Sequence, residues 1–328
     1  MSGELASRLE NLSPERRAML LEKLRQKAQR PEDTGLAAPI QPRPDASAYP
    51  LSFAQQRLWI LSQLEPDSPF YNIALALRLT GELDIPALEA SLNEIVRRHE
   101  VLRAHFVTER GNPVQVIAPE LHLTLEVADL TQEMGARSTP VDIEQRGLEI
   151  ARAEAAAPFD LQRGPLLRCR LLRLRPDEHL VMLTLHHIVT DGWSTRVLVR
   201  ELGLLYDAFR RQGAAQPPAV LPPLPIQYAD YAAWQREQIS GERLAAEIAF
   251  WRNALAGLPP VLELPTDRPR PAVQTVHGTT FSFSVPAPVA AGLRELARRE
   301  GATLFQALLA AYQALLYRYT GQGDLCVG

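Results

Sequence analysis

Residues Leu180-Val181-Met182-Leu183-Thr184-Leu185 form a nearly unbroken apolar run, and an unusual corner follows at once: His186-His187-Ile188-Val189-Thr190-Asp191-Gly192-Trp193-Ser194. A short apolar run bounded by turn residues reads as a buried strand. A helical pattern begins near Thr195 and runs to Arg211, with Val197, Leu198, Leu202, Leu205 and Phe209 inward. The two histidines therefore stand at a strand-to-helix corner. Successive side chains of a strand point to opposite faces. Val181, Leu183, Leu185 and His187 share one face; Leu180, Met182, Thr184 and His186 share the other. The two imidazoles do not serve one site, and one of them is structural. A histidine at a strand end facing a cleft can act as a general base, because its pKa lies near neutrality. Asp191 could orient a histidine, or bind an arginine and hold the corner. Gly192 permits a backbone conformation that other residues resist, and close approach of a substrate. Adjacent histidines on opposite faces chelate one metal ion poorly, and no third ligand stands out. A serine-hydrolase elbow, G-x-S-x-G, is missing from the sequence.

Composition narrows the function classes. The 328 residues are 46% hydrophobic and 22% charged, with a formal net charge of -3. That is an ordinary globular chain of about two domains, without the basic footprint of nucleic-acid or anionic-membrane binding. No window approaches a membrane span, and Met1-Ser2-Gly3-Glu4 lacks the apolar core of a signal peptide. The simplest compartment is the cytoplasm. The two cysteines, Cys169 and Cys326, suggest neither a disulfide framework nor a zinc site, and Cys169 fits a small buried hydrophobe.

The 27 prolines cluster and mark linkers. Residues 1–30 are expected to form a helical leader or docking element, with Ser13 as N-cap, Pro14 at the first helical position and one narrow stripe of Leu20, Leu21 and Leu24. Residues 31–50 read as a Pro-rich linker, 51–212 as a first lobe, 213–226 as a second linker and 227–328 as part of a second lobe. Within the first lobe, residues 52–61 read as a capped helix and Asn72 to Thr80 as an alternating strand. Asp84 to Val96 reads as a helix, and Leu102 to Thr108 with Pro113 to Ala118 as a strand pair around Gly111-Asn112. Leu121 to Val127 alternates again, Val141 to Ala156 is helical, and Leu166 to Leu174 pairs with His179 to His187. In the second lobe, helices begin at Tyr228 and Leu244, Thr279 to Val285 alternates as a strand, and Val289 to Arg299 and Leu304 to Tyr319 are helical. The last of these is apolar nearly all round and is expected to be buried. The chain stops in what reads as a new strand, 324–328, which suggests a fragment of a larger protein.

His186-His187-x-x-x-Asp191-Gly192 resembles the HHxxxDG signature of condensation domains of non-ribosomal peptide synthetases, in the chloramphenicol-acetyltransferase-like superfamily. Residues 51–59, Leu-Ser-Phe-Ala-Gln-Gln-Arg-Leu-Trp, resemble the family's first motif. Arg98 to Phe106 resembles RHExLRTxF, with Ala104 where threonine is usual, and Tyr228 to Trp234 resembles YxDYAxW. Four motifs stand in the family's order, and the resemblance covers roughly residues 49–328. The resemblance implies an α/β fold of two acetyltransferase-like sandwich lobes in a V, the second lobe incomplete here. It implies an acyltransferase that joins a carrier-bound acyl or peptidyl thioester to a carrier-bound aminoacyl thioester through an amide bond. His187 would be the catalytic histidine and Gly192 a backbone donor to the oxyanion. His186 would be structural, and Asp191 an anchor of the turn paired with an arginine, for which Arg103 is the candidate. Arg57, Tyr228 and Trp234 would pack or bridge lobes. No cofactor is expected on the domain itself; 4'-phosphopantetheine would arrive on upstream and downstream carrier domains, with an upstream synthetase subunit in trans. Neither nucleic acid nor membrane is expected as a partner. Other readings are a docking fragment without catalysis, a free-standing coenzyme A-dependent acyltransferase, and an epimerisation domain. The form of residues 51–72 leans toward a D-configured donor.

Overall fold

The computed structural model describes residues 39–135, 138–213, 217–269, 271 and 281–327. The expected leader helix at 1–30 and the first part of the 31–50 linker lie outside the described residues. The chain forms two compact units, Met1–Ile239 and Ser240–Gly328.

The first unit carries β1 (Tyr49–Pro50), α1 (Phe53–Leu64), β2 (Asn72–Thr80), α2 (Ile85–Arg98) and a 3-10 turn over Glu100–Arg103. The β3 (Ala104–Glu109) and β4 (Asn112–Ile117) hairpin follows, then β5 (Glu126–Asp129), α3 (Leu130–Glu133) and α4 (Pro140–Ala156). The unit is completed by β6 (Leu167–Arg175), β7 (Glu178–His186), α5 (Gly192–Gln212) and α6 (Tyr228–Gln238). A three-stranded sheet has the order β1-β4-β3, and a four-stranded sheet the order β2-β7-β6-β5. The β3–β4 loop is Arg110-Gly111, both with positive φ, 50° and 81°. Two left-handed residues match the twist of the flanking strands, and glycine takes that conformation without a Cβ clash.

The apolar run sits where its composition requires. β7 pairs antiparallel with β2 from Asn72↔His186 to Thr80↔Glu178, and on its other edge with β6. Val181, Leu183 and Leu185 pack into a core with Leu88, Leu92 and Ile95 of α2 and Leu198, Leu202 and Leu205 of α5. On the opposite face Met182 packs with Leu172, Leu174 and Leu130, under Ile143 and Ile150 of α4. Both faces of β7 are thus covered, which is why the run is continuous rather than alternating.

Some expected strands are shorter or missing, and hydrogen bonding accounts for it. Leu121 to Val127 is strand only from Glu126. The Leu123 N–H donates to Asn93 Oδ1 at 2.8 Å and the Leu125 N–H to Glu89 Oε2 at 3.0 Å. Side chains of α2 thereby take the place of a strand partner. The second unit contains α7 (Gly241–Ala254), α8 (Ala287–Arg299) and α9 (Leu304–Thr320), and among its described residues no strand. Of the strands expected at 279–285 and 324–328, residues 279–280 and 328 lie outside the described residues, and 281–285 and 324–327 are without strand pairing, because a strand needs an edge to bond. The expected burial of α9 is also not met. Phe305 is 72% and Tyr319 62% exposed, and only Leu316 is buried, although α8 packs against α9.

α6 belongs to the first unit through an ionic clamp. Arg43 donates to Asp230 Oδ1 at 2.6 Å and to Glu100 Oε2 at 2.6 Å, and its guanidinium lies 3.9 Å from the centre of the Tyr49 ring. Its backbone N–H also donates to Asp230, at 3.1 Å. Burial alone would raise the Asp230 carboxyl, but the N–H groups of Gln227 and Arg43 and the Arg43 guanidinium hold it below the usual range. The helix that opens the expected second lobe is therefore fastened to the residues preceding β1. Arg43→Met leaves the buried Asp230 carboxylate without its cation, which costs about 3 kcal/mol of stability. Urea denaturation of the two proteins should show the unfolding free energy lowered by that amount, with a lower midpoint and an unchanged m-value.

Candidate functional site

β7 ends at His186, and the backbone there is held from both sides. The His186 N–H donates to Leu166 O at 3.1 Å, and the His187 N–H to Tyr71 O at 2.8 Å. The two side chains then part, as strand alternation requires. His186 is 5% exposed, packed edge-on to Phe159, and its Nδ1 accepts the Ile188 N–H at 3.1 Å. Burial, then the neighbouring His187, pushes its pKa down to about 4, so the ring is neutral and acts as an internal cap of the corner. His187 is exposed, 6.5 Å from the Tyr71 ring centre, and its imidazole has no hydrogen bond among the described residues.

Asp191 works as the N-cap of α5. Its Oδ1 accepts the Ser194 N–H at 2.7 Å and the Ser194 hydroxyl at 2.6 Å. Those bonds lower its pKa. The expected Asp191–Arg103 pair is not formed. Arg103 donates to backbone carbonyls instead: Val96 at 3.2 Å, Pro119 at 3.0 Å, and Ala118. A guanidinium with five donors is satisfied by the carbonyls left open at the end of α2 and beyond β4, and Asp191 is already occupied by its own helix. Gly192 also departs from expectation. It is the first residue of α5, without a positive φ, and a Cβ there would meet nothing within 4 Å. Its value lies in open space rather than in an unusual conformation.

The corner opens onto a cavity of about 410 Å³. His187, Asp191, Trp193 and Ser194 line it beside Tyr71 and Tyr228, with a largely apolar wall contributed by α1, α2 and α5. Residues that did not stand out in the sequence support this corner. Gln55 is 1% exposed and donates from Nε2 to Ile188 O at 3.3 Å, tying α1 to the loop that follows His187. Gln55 Oε1 accepts the Ser52 N–H at 3.1 Å, and Ser52 Oγ lies 3.0 Å from the Tyr228 hydroxyl. The Ser52-x-x-Gln55 spacing is a capping box, which is the signal that could have found this network. Within the cavity wall His99 Nε2 lies 2.8 Å from Glu201 Oε2, a pairing across 102 residues that periodicity does not reveal. Among the described residues no cluster of three or more His, Cys, Asp or Glu side chains could hold a metal ion, and no helix is long and apolar enough to cross a membrane.

Comparison with known proteins places this geometry in context. The family model described as Condensation domain matches residues 45–328. A linear gramicidin synthase protein of Brevibacillus parabrevis is 48% identical over 290 residues, 88% of this chain and 4% of that protein. Phosphinothricin tripeptide synthetase PhsC of Streptomyces viridochromogenes is 43% identical over 326 residues, 99% of this chain and 29% of that protein. This chain thus spans a small part of the length of these relatives. Among solved structures, the X-domain from teicoplanin biosynthesis superposes with a TM-score of 0.72 at 32% identity, covering 86% of this chain and 60% of that one.

The depressed pKa of His186 has a consequence for stability. Between pH 6.5 and about 4 an unfolded chain protonates this histidine and the folded one does not. Stability therefore falls as pH drops through that window. His186→Asn keeps an acceptor for the Ile188 N–H without a titrating ring. Urea midpoints measured from about pH 7 to about pH 4.5 should decline less steeply in the variant than in the wild type.

Proposed function

The chain belongs to the condensation-domain family, and we propose that it forms an amide bond between two carrier-borne thioesters, with His187 as the catalytic side chain. The supporting observation is the state of that imidazole: fixed through its own backbone, free of protein hydrogen bonds among the described residues, and open to the cavity.

The reaction is an aminolysis. The amine of the aminoacyl acceptor attacks the thioester carbonyl of the donor, the C–N bond forms and the C–S bond breaks. The proton lost by the nitrogen ends on the departing thiol. The exposed imidazole of His187 is suited to receive that proton from the amine, or to orient the amine for attack. The tetrahedral intermediate bears an oxyanion. The first N–H of α5, on Gly192, has no partner within the helix, and the helix N-terminus carries partial positive charge. An oxyanion at that corner is stabilised by both. Asp191 and His186 hold the corner rather than react, and Arg103 supports the loops behind it. The 4'-phosphopantetheine arm is part of the substrate and would be delivered by upstream and downstream carrier domains. Residues 51–212, the 213–226 connection and α6 would form the first lobe and residues from Ser240 part of the second, with a leader or docking element at 1–30 and a linker at 31–50.

A peptide-bond assay with donor and acceptor carrier proteins, each loaded with its substrate, tests this on the complete synthetase polypeptide. His187→Ala should lower the condensation rate by about 10²–10⁴-fold. An unchanged rate in that variant would remove His187 from the chemistry. Gly192→Val, whose side chain would fill the open space beside the first N–H of α5, should lower kcat while leaving the thermal midpoint within a few degrees of wild type.

A further inference from the structure

The His187 imidazole has no hydrogen bond among the described residues, so the backbone that carries it sets where it stands. The next residue is held at both of its backbone groups. The Ile188 N–H donates to His186 Nδ1 at 3.1 Å, and the Ile188 carbonyl accepts from Gln55 Nε2 at 3.3 Å. The second bond exists only while the Gln55 amide faces one way, because the opposite orientation would set two oxygen acceptors against each other. Two donors hold the amide in that orientation. Gln55 Oε1 accepts the Ser52 N–H at 3.1 Å and the Gln115 side-chain amide at 3.4 Å. Gln115 belongs to β4, stands outside the four sequence motifs, and is 0% exposed. Its Nε2 also donates to Pro50 O at 2.8 Å, so both of its N–H groups are directed at oxygen. Its own Oε1 is buried and has no partner among the described residues.

A buried amide oxygen without a partner costs stability, and an apolar side chain of the same length would avoid that cost. Packing alone therefore argues against glutamine at this place in β4. What glutamine supplies there is a pair of donors. We infer that Gln115 is a positioning residue for His187, acting through Gln55. With one N–H on Pro50 of β1 and the other on Gln55 Oε1, it fixes which way the Gln55 amide faces and keeps Ile188 O tied to α1. The three-stranded sheet thereby holds the backbone step that follows the imidazole. Gln115 is not among the residues that line the cavity, so it acts on the rate without touching substrate there. A small displacement of a reacting group is enough to slow an aminolysis strongly. The inference rests on the proposed role of His187 for its effect on rate, but not for its effect on the loop.

Two measurements on the complete synthetase polypeptide test it. Gln115→Met keeps the length of the side chain and removes both donors together with the unpaired oxygen. In the peptide-bond assay with both carrier proteins loaded, its kcat should fall about tenfold, the worth of one good hydrogen bond. KM for each loaded carrier protein should stay within about twofold of wild type, and the thermal midpoint within a few degrees. Gln55→Met should lose at least as much, and the double variant should be no slower than Gln55→Met, because a single relay is broken once. The second measurement is hydrogen exchange followed by mass spectrometry. Peptides over residues 187–190 should exchange faster in Gln115→Met, while those over residues 178–185 of β7 keep wild-type protection. Gln115→Leu carries the same readings if the methionine variant does not fold. Additive rate losses in the double variant, unchanged exchange at 187–190, or wild-type kcat in a folded Gln115 variant where His187→Ala is slow, overturns the inference. Faster exchange at 187–190 together with an unchanged rate in His187→Ala would instead remove His187 from the chemistry and leave the relay standing.

Discussion

The double-sided burial of β7 is the constraint on which the rest of the first unit depends. Its side chains enter one core on the α2 and α5 side and a second core under α4. Each buried leucine, valine or methionine contributes about 1.5–3 kcal/mol relative to exposure. Because the side-chain period is two, a slip of one residue would exchange the two cores and drive His187 into the packing while expelling His186. The pairing of Asn72 with His186 is the last rung of the β2 ladder. Beyond it a further backbone bond runs from His187 to Tyr71, and that imidazole is exposed. The end of a strand thus sets the position of an exposed imidazole with the precision of a packed core.

Charge is distributed at this corner in a way that separates two tasks. Asp191 is spent on the first turn of α5, so it is not the carboxylate of an imidazole pair. The carboxylate–imidazole pair beside the cavity is Glu201 with His99, of which His99 lines the wall. Of the two imidazoles that line the cavity, His187 has no hydrogen bond among the described residues and His99 is held by Glu201. α5 links the two, since its N-cap lies beside the first and its third turn supports the second.

Much of this was legible in the sequence. The apolar run, the separation of His186 from His187 by face, and the inward stripe of α5 all follow from local periodicity, and the structure has them. The partner of Asp191 was not read correctly. Ser194, three residues on, made a capping reading available, whereas Arg103 entered only through the family resemblance. Glu201 carried a readable signal, since an acid between Leu198 and Leu205 on an apolar stripe has to find a partner. The identity of that partner, His99, depends on tertiary packing across 102 residues. The same limit explains 281–286 and α9. Alternation and an apolar surface state what a segment can do, but pairing and burial need a neighbour. Among the described residues of the second unit there is no strand edge, and α9 is left largely uncovered.

The clamp around Arg43 bears on how load passes through the protein. This residue precedes β1, yet it grips Asp230 in α6 and Glu100 in the turn after α2, and rests on the Tyr49 ring. Tension on the chain upstream of Arg43 is therefore carried first by two ion pairs and a stacked ring. From there it passes into α6 and the end of α2, along directions that bypass the β2–β7 ladder. Through Tyr228 of α6 that load reaches Ser52 and Gln55, and with them the loop that follows the imidazole at the end of β7.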